Sequence, residues 1–153
     1  MTDVFKKLNL KDQAEILVLN APVSFEPELA GLAGVAVRRR GADVKESAFV
    51  LAFATRQKEI DGLARLVAGK VKGDGVVWCA YPKGSSKKYT CEFNRDTGFQ
   101  PLGDAGFEPV RMVAIDEDWT AVRVRRVEFI KSLTRDHRVA LSKAGKARTA
   151  KKR

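Results

Sequence analysis

The clearest potential for chemistry in this chain lies in a polar loop at residues 83–90, whose sequence is KGSSKKYT. Glycine and serine leave backbone N–H groups accessible and lysine adds positive charge, so this composition is typical of an anion-binding loop. The candidate anion ligands are Lys83, Ser85, Ser86 and Lys87. The loop lacks the GxxxxGKS/T spacing of a P-loop, and a solvated basic loop without a ligand explains the same residues.

Patterns for covalent catalysis and for metal binding are weak. Ser85 and Lys88 have the Ser-x-x-Lys spacing of acyl-transferring serine enzymes, but no companion motif follows them. The sole histidine, His137, lies beyond the last expected strand and no GxSxG elbow is present, which argues against a Ser-His-Asp triad. With two separated cysteines, Cys79 and Cys91, we expect structural thiols and predict no metal site.

Continuous apolar runs predict the strands that position the polar loop. Such runs are typical of parallel strands that are covered on both faces. They occur at residues 15–20, 34–38, 47–54 and 75–81. Because ligands of open α/β sheets bind beyond the carboxyl ends of the strands, Asn20 and Thr55 are expected at the rim of the same crevice as the loop.

The remaining elements complete an α/β pattern. Apolar residues at spacings of three and four predict an amphipathic helix over residues 56–71, with Thr55 as its N-cap. Residues 109–115 and 119–129 predict a terminal hairpin. Shorter helices are expected at residues 25–32 and 94–106. This order predicts a three-layer Rossmann-like fold with a mixed sheet of about six strands, mostly parallel, with one antiparallel strand near the C-terminal end.

Three further features have both a structural and a functional interpretation. The acidic run at residues 116–118 is interpreted as a soluble hairpin turn rather than as paired catalytic carboxylates. Trp119 is assigned to the core rather than to the crevice. Arg95 and Asp96 follow the polar loop and are candidates for orienting a ligand, although an acid at a helix N-terminus explains Asp96 equally well.

Several segments carry a resemblance to known proteins. The segments ILVLNAP, AYPKGSSKKY, NRDTGF, LGDAGFEPVR and AIDEDWTAVRVRR resemble a family of small bacterial proteins to which no function is assigned. Over about residues 12–129, the arrangement resembles the class I methyltransferase version of the Rossmann-like fold, in which the last hairpin inserts an antiparallel strand into the sheet. The resemblance implies this fold and no particular activity.

The sequence departs from methyltransferases where their cofactor binds. Their first loop is glycine-rich after an acidic residue, whereas the matching stretch here is NAPVS at residues 20–24. A loop without glycine and with one proline offers neither close backbone approach nor a full set of N–H groups. Arg38, Arg39 and Arg40 stand where a ribose-binding carboxylate is expected, and without a glycine loop they do not indicate NADP. We therefore predict no S-adenosylmethionine binding and no cofactor.

Positive charge is concentrated at the C-terminal end. The 153 residues have a formal net charge of +10, and residues 131–153 hold nine of the 29 basic and one of the 19 acidic side chains. We predict one domain over residues 1–130 and a basic, flexible tail over residues 131–153. The candidate polyanion contacts are Lys143, Lys146, Arg148, Lys151, Lys152 and Arg153. With no aromatic residue after Phe129, any nucleic-acid binding by the tail is expected to be electrostatic and independent of base sequence.

Two function classes remain open from the sequence. One is a small-molecule role at the strand-end crevice, with an anionic ligand. The other is a binding module whose basic tail contacts nucleic acid or another polyanion, although a solubilising extension explains the tail as well. No apolar run approaches the roughly 18 residues of a membrane span and the chain start has no signal-like apolar stretch, so we expect a cytoplasmic protein without a membrane partner.

Overall fold

Residues 2–94 and 97–130 are described by a computed structural model, in which six strands form one mixed sheet. The strands are β1 (Glu15–Leu19), β2 (Ala36–Arg38), β3 (Phe49–Phe53), β4 (Val76–Pro82), β5 (Phe107–Ala114) and β6 (Trp119–Arg126). Their order across the sheet is β2-β1-β3-β4-β6-β5, and β6 alone runs opposite in direction to the other five strands. The predicted α/β sheet with one antiparallel strand near the C-terminal end is confirmed.

Helices cover both faces of the sheet and make the fold three-layered. They are α1 (Asp3–Lys7), α2 (Glu26–Ala30), α3 (Gln57–Lys70) and α4 (Gln100–Asp104). Helices α3 and α4 pack against one face, and α1 and α2 pack against the other. The chain segments predicted as a flexible tail (131–153) and as ligand-orienting residues (95–96) lie outside the described residues.

The central strand β3 explains why both faces need a cover. All five of its residues are buried. Phe49, Leu51 and Phe53 point to the layer of α1 and α2, whereas Val50 and Ala52 point to α3. Because alternate residues of a strand face opposite sides, a wholly apolar strand stabilises the fold only between two layers.

The start of α3 corrects one sequence prediction. Thr55 is not the N-cap, because the helix begins one residue later and Arg56 occupies the cap position. The Glu59 carboxylate instead accepts hydrogen bonds from the backbone N–H groups of Thr55 (2.9 Å) and Arg56 (3.1 Å). These two donors precede the helix, and the reach of the Glu59 side chain back to them is one half of a capping box.

Element ends also differ from the predicted ranges. Residues Val127–Phe129 form a 3-10 turn instead of continuing β6, and the Gly106 carbonyl accepts the Val127 N–H at 3.1 Å. The helix expected over residues 94–106 is limited to α4, because Gly98 has a φ of +91° that a helix cannot contain. Helix α1, with only five residues, has no counterpart in the sequence prediction.

Candidate functional site

A cleft of about 490 Å³ opens at the carboxyl end of β4, and we call it the β4 cleft. It lies between the strand end and the loop that follows, over residues 81–97. Its polar lining includes Lys83, Ser86 and Glu92, and its aromatic lining includes Tyr81, Tyr89 and Phe93. Its position agrees with the general rule for ligand sites in open α/β sheets.

A cluster of aromatic rings makes one wall of the cleft rigid. The Tyr81 ring centroid lies 5.9 Å from that of Phe93 and 5.6 Å from that of Phe99, and the two phenylalanine rings meet edge to face at 5.6 Å. All three side chains are buried in the core under α3 and α4. Offset and edge-to-face pairs of this kind add about 0.5–1.5 kcal/mol each beyond area burial, so the wall is preorganised.

Ser86 ties the polar loop to the turn between β5 and β6. Its hydroxyl donates to the Asp118 carboxylate at 2.9 Å and accepts the backbone N–H groups of Lys88 (3.3 Å) and Tyr89 (3.2 Å). The Lys83 backbone N–H also donates to the Asp118 carbonyl at 2.8 Å. Since the single hydroxyl proton of Ser86 is used by Asp118, this side chain shapes the cleft more than it offers a free donor to a ligand.

The acidic turn itself is closed by local hydrogen bonds. The Asp116 carboxylate accepts the backbone N–H groups of Asp118 (2.8 Å) and Trp119 (2.9 Å). The carboxylates of Asp116 and Asp118 are therefore used in holding the turn and the polar loop. This arrangement agrees with the interpretation of residues 116–118 as a structural turn.

Lys83 is the free cation of the β4 cleft. The residue is half-buried, and its ammonium group forms no hydrogen bond or ion pair with any residue in the described ranges. Glu92 lines the same cleft and is exposed. Among the described residues, the lining of the cleft thus offers one unpaired positive charge and one negative charge beside an aromatic wall.

The other candidate residues of the polar loop lie outside the cleft lining. Ser85 and Lys87 are exposed and do not line the β4 cleft, whereas Lys83 and Ser86 do. The difference follows from the turn that these residues form. The Ser86 N–H donates to the Lys83 carbonyl at 3.0 Å, and this bond places Ser85 at the tip of the turn. Of the four predicted anion ligands, the structure brings two together.

The two predicted rim residues are separated from the β4 cleft. Thr55 lines a neighbouring cleft of about 280 Å³, which shares Thr90, Cys91 and Glu92 with the β4 cleft. Asn20 lies at the end of β1 with a φ of +58°, and its side-chain amide donates to the Phe53 carbonyl at 3.3 Å. The amide of Asn20 therefore bridges the ends of β1 and β3.

Sequence reasoning missed the segment that closes the cleft. Glu92 and Phe93 were outside the predicted site, and Glu92 reaches it because its backbone N–H donates to the Thr55 carbonyl at 2.9 Å. This bond joins residues 37 positions apart, so no local pattern could indicate it. The only available signal was the aromatic spacing around the loop, at Tyr89 and Phe93.

Both cysteines are in the protonated form that structural thiols have. Burial raises the pKa of the fully buried Cys79 thiol far above its usual value, and burial also raises the pKa of Cys91. A thiol with a raised pKa is a poor nucleophile and a poor metal ligand at neutral pH. Among the residues that the structure describes, no group of three or more His, Cys, Asp or Glu could hold a metal ion.

The segment that follows β1 contributes one aromatic side chain to the core. Phe25 is fully buried, and its ring centroid lies 5.7 Å from that of Phe5 and 4.9 Å from that of Phe53. Phe53 in turn packs edge to face on Trp119 at 5.2 Å, and Trp119 is 3% exposed. Trp119 belongs to the core, as predicted. Phe25 thus belongs to the core on the side of α1 and α2.

The arginines at the end of β2 are paired with acids. Arg38 binds Glu15 at 2.9 Å and Arg40 binds Asp43 at 3.2 Å. Arg39 makes two bonds of 2.8 Å to the carboxylate of Glu26. Because the loop at residues 20–24 has no glycine and paired arginines stand at the end of β2, the residues present do not fit S-adenosylmethionine.

Whether a helix can cross a membrane depends on its length and its apolar content. No helix among residues 2–94 and 97–130 is long and apolar enough to cross a membrane.

Comparisons with known proteins identify the fold. No family model and no curated protein matches the chain. A SAM dependent methyltransferase from Aquifex aeolicus is similar with a TM-score of 0.56 at 14% identity, over 81% of this chain and 88% of that chain. TrmN from Thermus thermophilus has a TM-score of 0.51 at 11% identity, over 80% of this chain and 46% of that chain.

A third structure is not described as a methyltransferase. It is a possible exported protein from Bordetella parapertussis, similar with a TM-score of 0.54 at 10% identity over 80% of this chain and 65% of that chain. Identities this low show a shared fold and not a shared activity. The chain therefore has a class I methyltransferase-like, Rossmann-like α/β fold.

Proposed function

We propose that this protein is not a methyltransferase and that it binds a small molecule with an anionic group in the β4 cleft. The observation that carries the proposal is Lys83, a half-buried cation that lines the cleft without an acidic partner among the described residues. The arginines of β2, by contrast, each have a carboxylate. A half-buried ammonium group without a partner is stabilised when a ligand supplies the negative charge.

The lining narrows the class of ligand. Lys83 attracts one carboxylate or phosphate group, whereas Glu92 on the same cleft repels a second one. The aromatic wall of Tyr81 and Phe93 favours a planar apolar part. A molecule with one anionic group attached to a ring satisfies both features, and a polyanion does not.

Binding is proposed here rather than covalent catalysis. Cys91 lines the cleft, but burial raises the pKa of its thiol, and the Ser86 hydroxyl donates to Asp118. The carboxylate of Asp118 is a weak base for Ser86, and no histidine or lysine side chain among the described residues hydrogen-bonds to either group. The Ser-x-x-Lys spacing of Ser85 and Lys88 gains no support, since Ser85 is exposed at the tip of a turn.

Two features support the exclusion of methyl transfer and the family assignment. The glycine-free loop at residues 20–24 and the paired arginines Arg38, Arg39 and Arg40 stand where the cofactor loop and its ribose-binding acid are expected. The segments that resemble small bacterial proteins without an assigned function include residues 83–89 of the polar loop. We infer that the chain belongs to that family.

The experiment combines ligand identification with two matched variants. Native mass spectrometry of mildly purified protein is expected to show an added small mass, and thermal-shift titrations use phosphate, AMP and 4-hydroxybenzoate as probes. Lys83→Gln is expected to remove the shift, whereas Lys87→Gln removes the same charge from an exposed side chain outside the cleft and is expected to keep it. Equal behaviour of the two variants would contradict the proposal.

A further inference from the structure

A second cationic surface lies on the terminal hairpin, away from the β4 cleft. Arg111 of β5 is directly opposite Arg123 of β6, and Glu108 is directly opposite Arg125. Cross-strand partners share a face of the sheet, and here it is the face of Val113 and Ala121, which are buried with α1 and α2. We call Arg111, Arg123 and Arg125 the arginine face.

The charges of the arginine face are only partly balanced. Asp74 binds Arg125 through two bonds of 2.8 and 2.6 Å. Neither Arg111 nor Arg123 forms an ion pair with any residue in the described part of the chain, and the Arg123 Nε atom is buried without a hydrogen-bond partner there. Burial lowers the pKa of Arg123, and the nearby charges of Arg125 and Arg111 lower it further, whereas Asp74 raises it.

This arrangement is unfavourable for the protein alone. Like charges directly opposite one another destabilise a strand pair, and a guanidinium that loses water without gaining an acceptor adds a desolvation cost. A guanidinium stays charged in proteins, so the cost is not relieved by deprotonation. An external anion beside the exposed Arg111 side chain would relieve the repulsion between Arg111 and Arg123.

We propose that the arginine face binds the phosphodiester backbone of a nucleic acid. Guanidinium groups match the geometry of phosphate oxygens, and backbone contacts require positive charge without apolar contacts. The apolar side chains on this face, Val113 and Ala121, are 7% and 0% exposed, so the face offers no apolar anchor of the kind that a peptide partner uses.

The charge of the following chain favours the same partner. Residues 131–153 come directly after Ile130, which closes the turn that follows β6, and they hold nine basic side chains against one acid. With one acid against nine basic side chains, this segment adds far more positive than negative charge. It extends the positive charge of the arginine face along the sequence, as suits a long polyphosphate more than a single phosphate ion.

The test measures RNA binding by the full chain across a series of salt concentrations. Fluorescence anisotropy with a labelled 20-nucleotide oligouridine compares the wild type with Arg111→Gln/Arg123→Gln. For single strands each phosphate contact contributes about −0.7 to the log–log salt slope, so losing two contacts makes the slope shallower by about 1.4 and weakens binding about 25-fold at about 0.1 M salt. Arg38→Gln/Arg40→Gln is the control, because it removes the same two positive charges from the end of β2 and the residues after it, at the opposite edge of the sheet.

The outcomes separate the proposal from simpler explanations. Absence of RNA binding by the wild type, or equal weakening in both double variants, would overturn it, and so would stronger binding of polyglutamate than of RNA at the same arginines. Because the Arg111→Gln/Arg123→Gln protein loses a like-charge pair, we expect it to melt at or above the wild-type temperature. If it melts lower, Arg111→Lys/Arg123→Lys decides instead, since it keeps both charges and is expected to keep the salt slope.

Discussion

Replacing Ser86 with alanine removes the hydroxyl that fastens the polar loop to the turn between β5 and β6. The change deletes the bond to the Asp118 carboxylate (2.9 Å) and the acceptor for the backbone N–H groups of Lys88 and Tyr89 (3.3 and 3.2 Å). The residue lies on the surface turn, so the alanine methyl group creates no cavity. The whole effect should therefore come from lost hydrogen bonds.

The magnitude follows from the charge and exposure of the partners. A hydrogen bond to a charged acceptor contributes about 1.5–3 kcal/mol, and the half-buried Ser86–Asp118 pair belongs at the lower end. The two N–H groups bond to water after the change and add only a few tenths. We expect a loss of about 1.5–2 kcal/mol in the free energy of unfolding, which lowers the melting temperature by about 5 °C for a chain of this length.

The assay is thermal and urea unfolding followed by circular dichroism, with Ser85→Ala as the matched control. Ser85 is the neighbouring serine, is exposed, and makes no hydrogen bond to the described residues. We expect Ser85→Ala to leave the melting temperature unchanged and Ser86→Ala to weaken ligand-induced shifts as well, because Lys83 loses its fixed position. If the two alanine variants melt together, the loop is not held through Ser86 and the geometry of the β4 cleft is wrong.

Three further changes have expected outcomes. Gly98→Ala should destabilise the fold by about 2 kcal/mol or more in urea unfolding, because φ is +91° and the new Cβ would lie 2.5 Å from a buried phenylalanine; Gly84→Ala, with open space around it, should be close to neutral. The Arg125 guanidinium lowers the pKa of the Asp74 carboxyl group. The stabilisation from this ion pair is therefore present above about pH 4 and is lost as the pH falls through the folded-state pKa of Asp74. In Asp74→Asn, the free energy of unfolding should depend less on pH over that acidic range. Deleting residues 131–153 should leave the far-ultraviolet spectrum unchanged and make the salt slope of duplex DNA binding shallower by about 4 to 5; an unchanged DNA titration would show that the tail makes no contact.

The elements that the sequence predicted best are those whose pattern is local. Strands β3 and β4 are continuous apolar runs, and α3 repeats its apolar residues over fourteen positions, so each carries its own signal. Helix α1 has five residues and only two buried side chains, Val4 and Phe5, which is too short to show a period. Element ends were less accurate, since α3 begins one residue later than predicted and has Arg56 instead of Thr55 at its N-cap.

The sequence predicts only part of the candidate site. Composition shows which residue types the loop holds, whereas the folded geometry decides which of them line the cleft. Glycine, serine and lysine in one loop indicated Lys83 and Ser86 correctly as residues at the carboxyl end of β4. Which of the loop side chains lines the cleft depends on the bond between Ser86 and Asp118, 32 residues apart, and sequence patterns do not show such a bond. Sequence patterns do not show the arginine face either, because Arg111 and Arg123 are brought opposite one another only by the register of β5 and β6.

S-adenosylmethionine is the cofactor that the fold suggests, and the central proposal is that it does not bind here. Isothermal titration calorimetry of the full chain with S-adenosylmethionine and S-adenosylhomocysteine tests it most directly. Because the loop after β1 has no glycine at residues 20–24 and Arg38 to Arg40 are bound to acids, we predict no measurable heat of binding for either compound. A dissociation constant in the low micromolar range for either one would contradict the account.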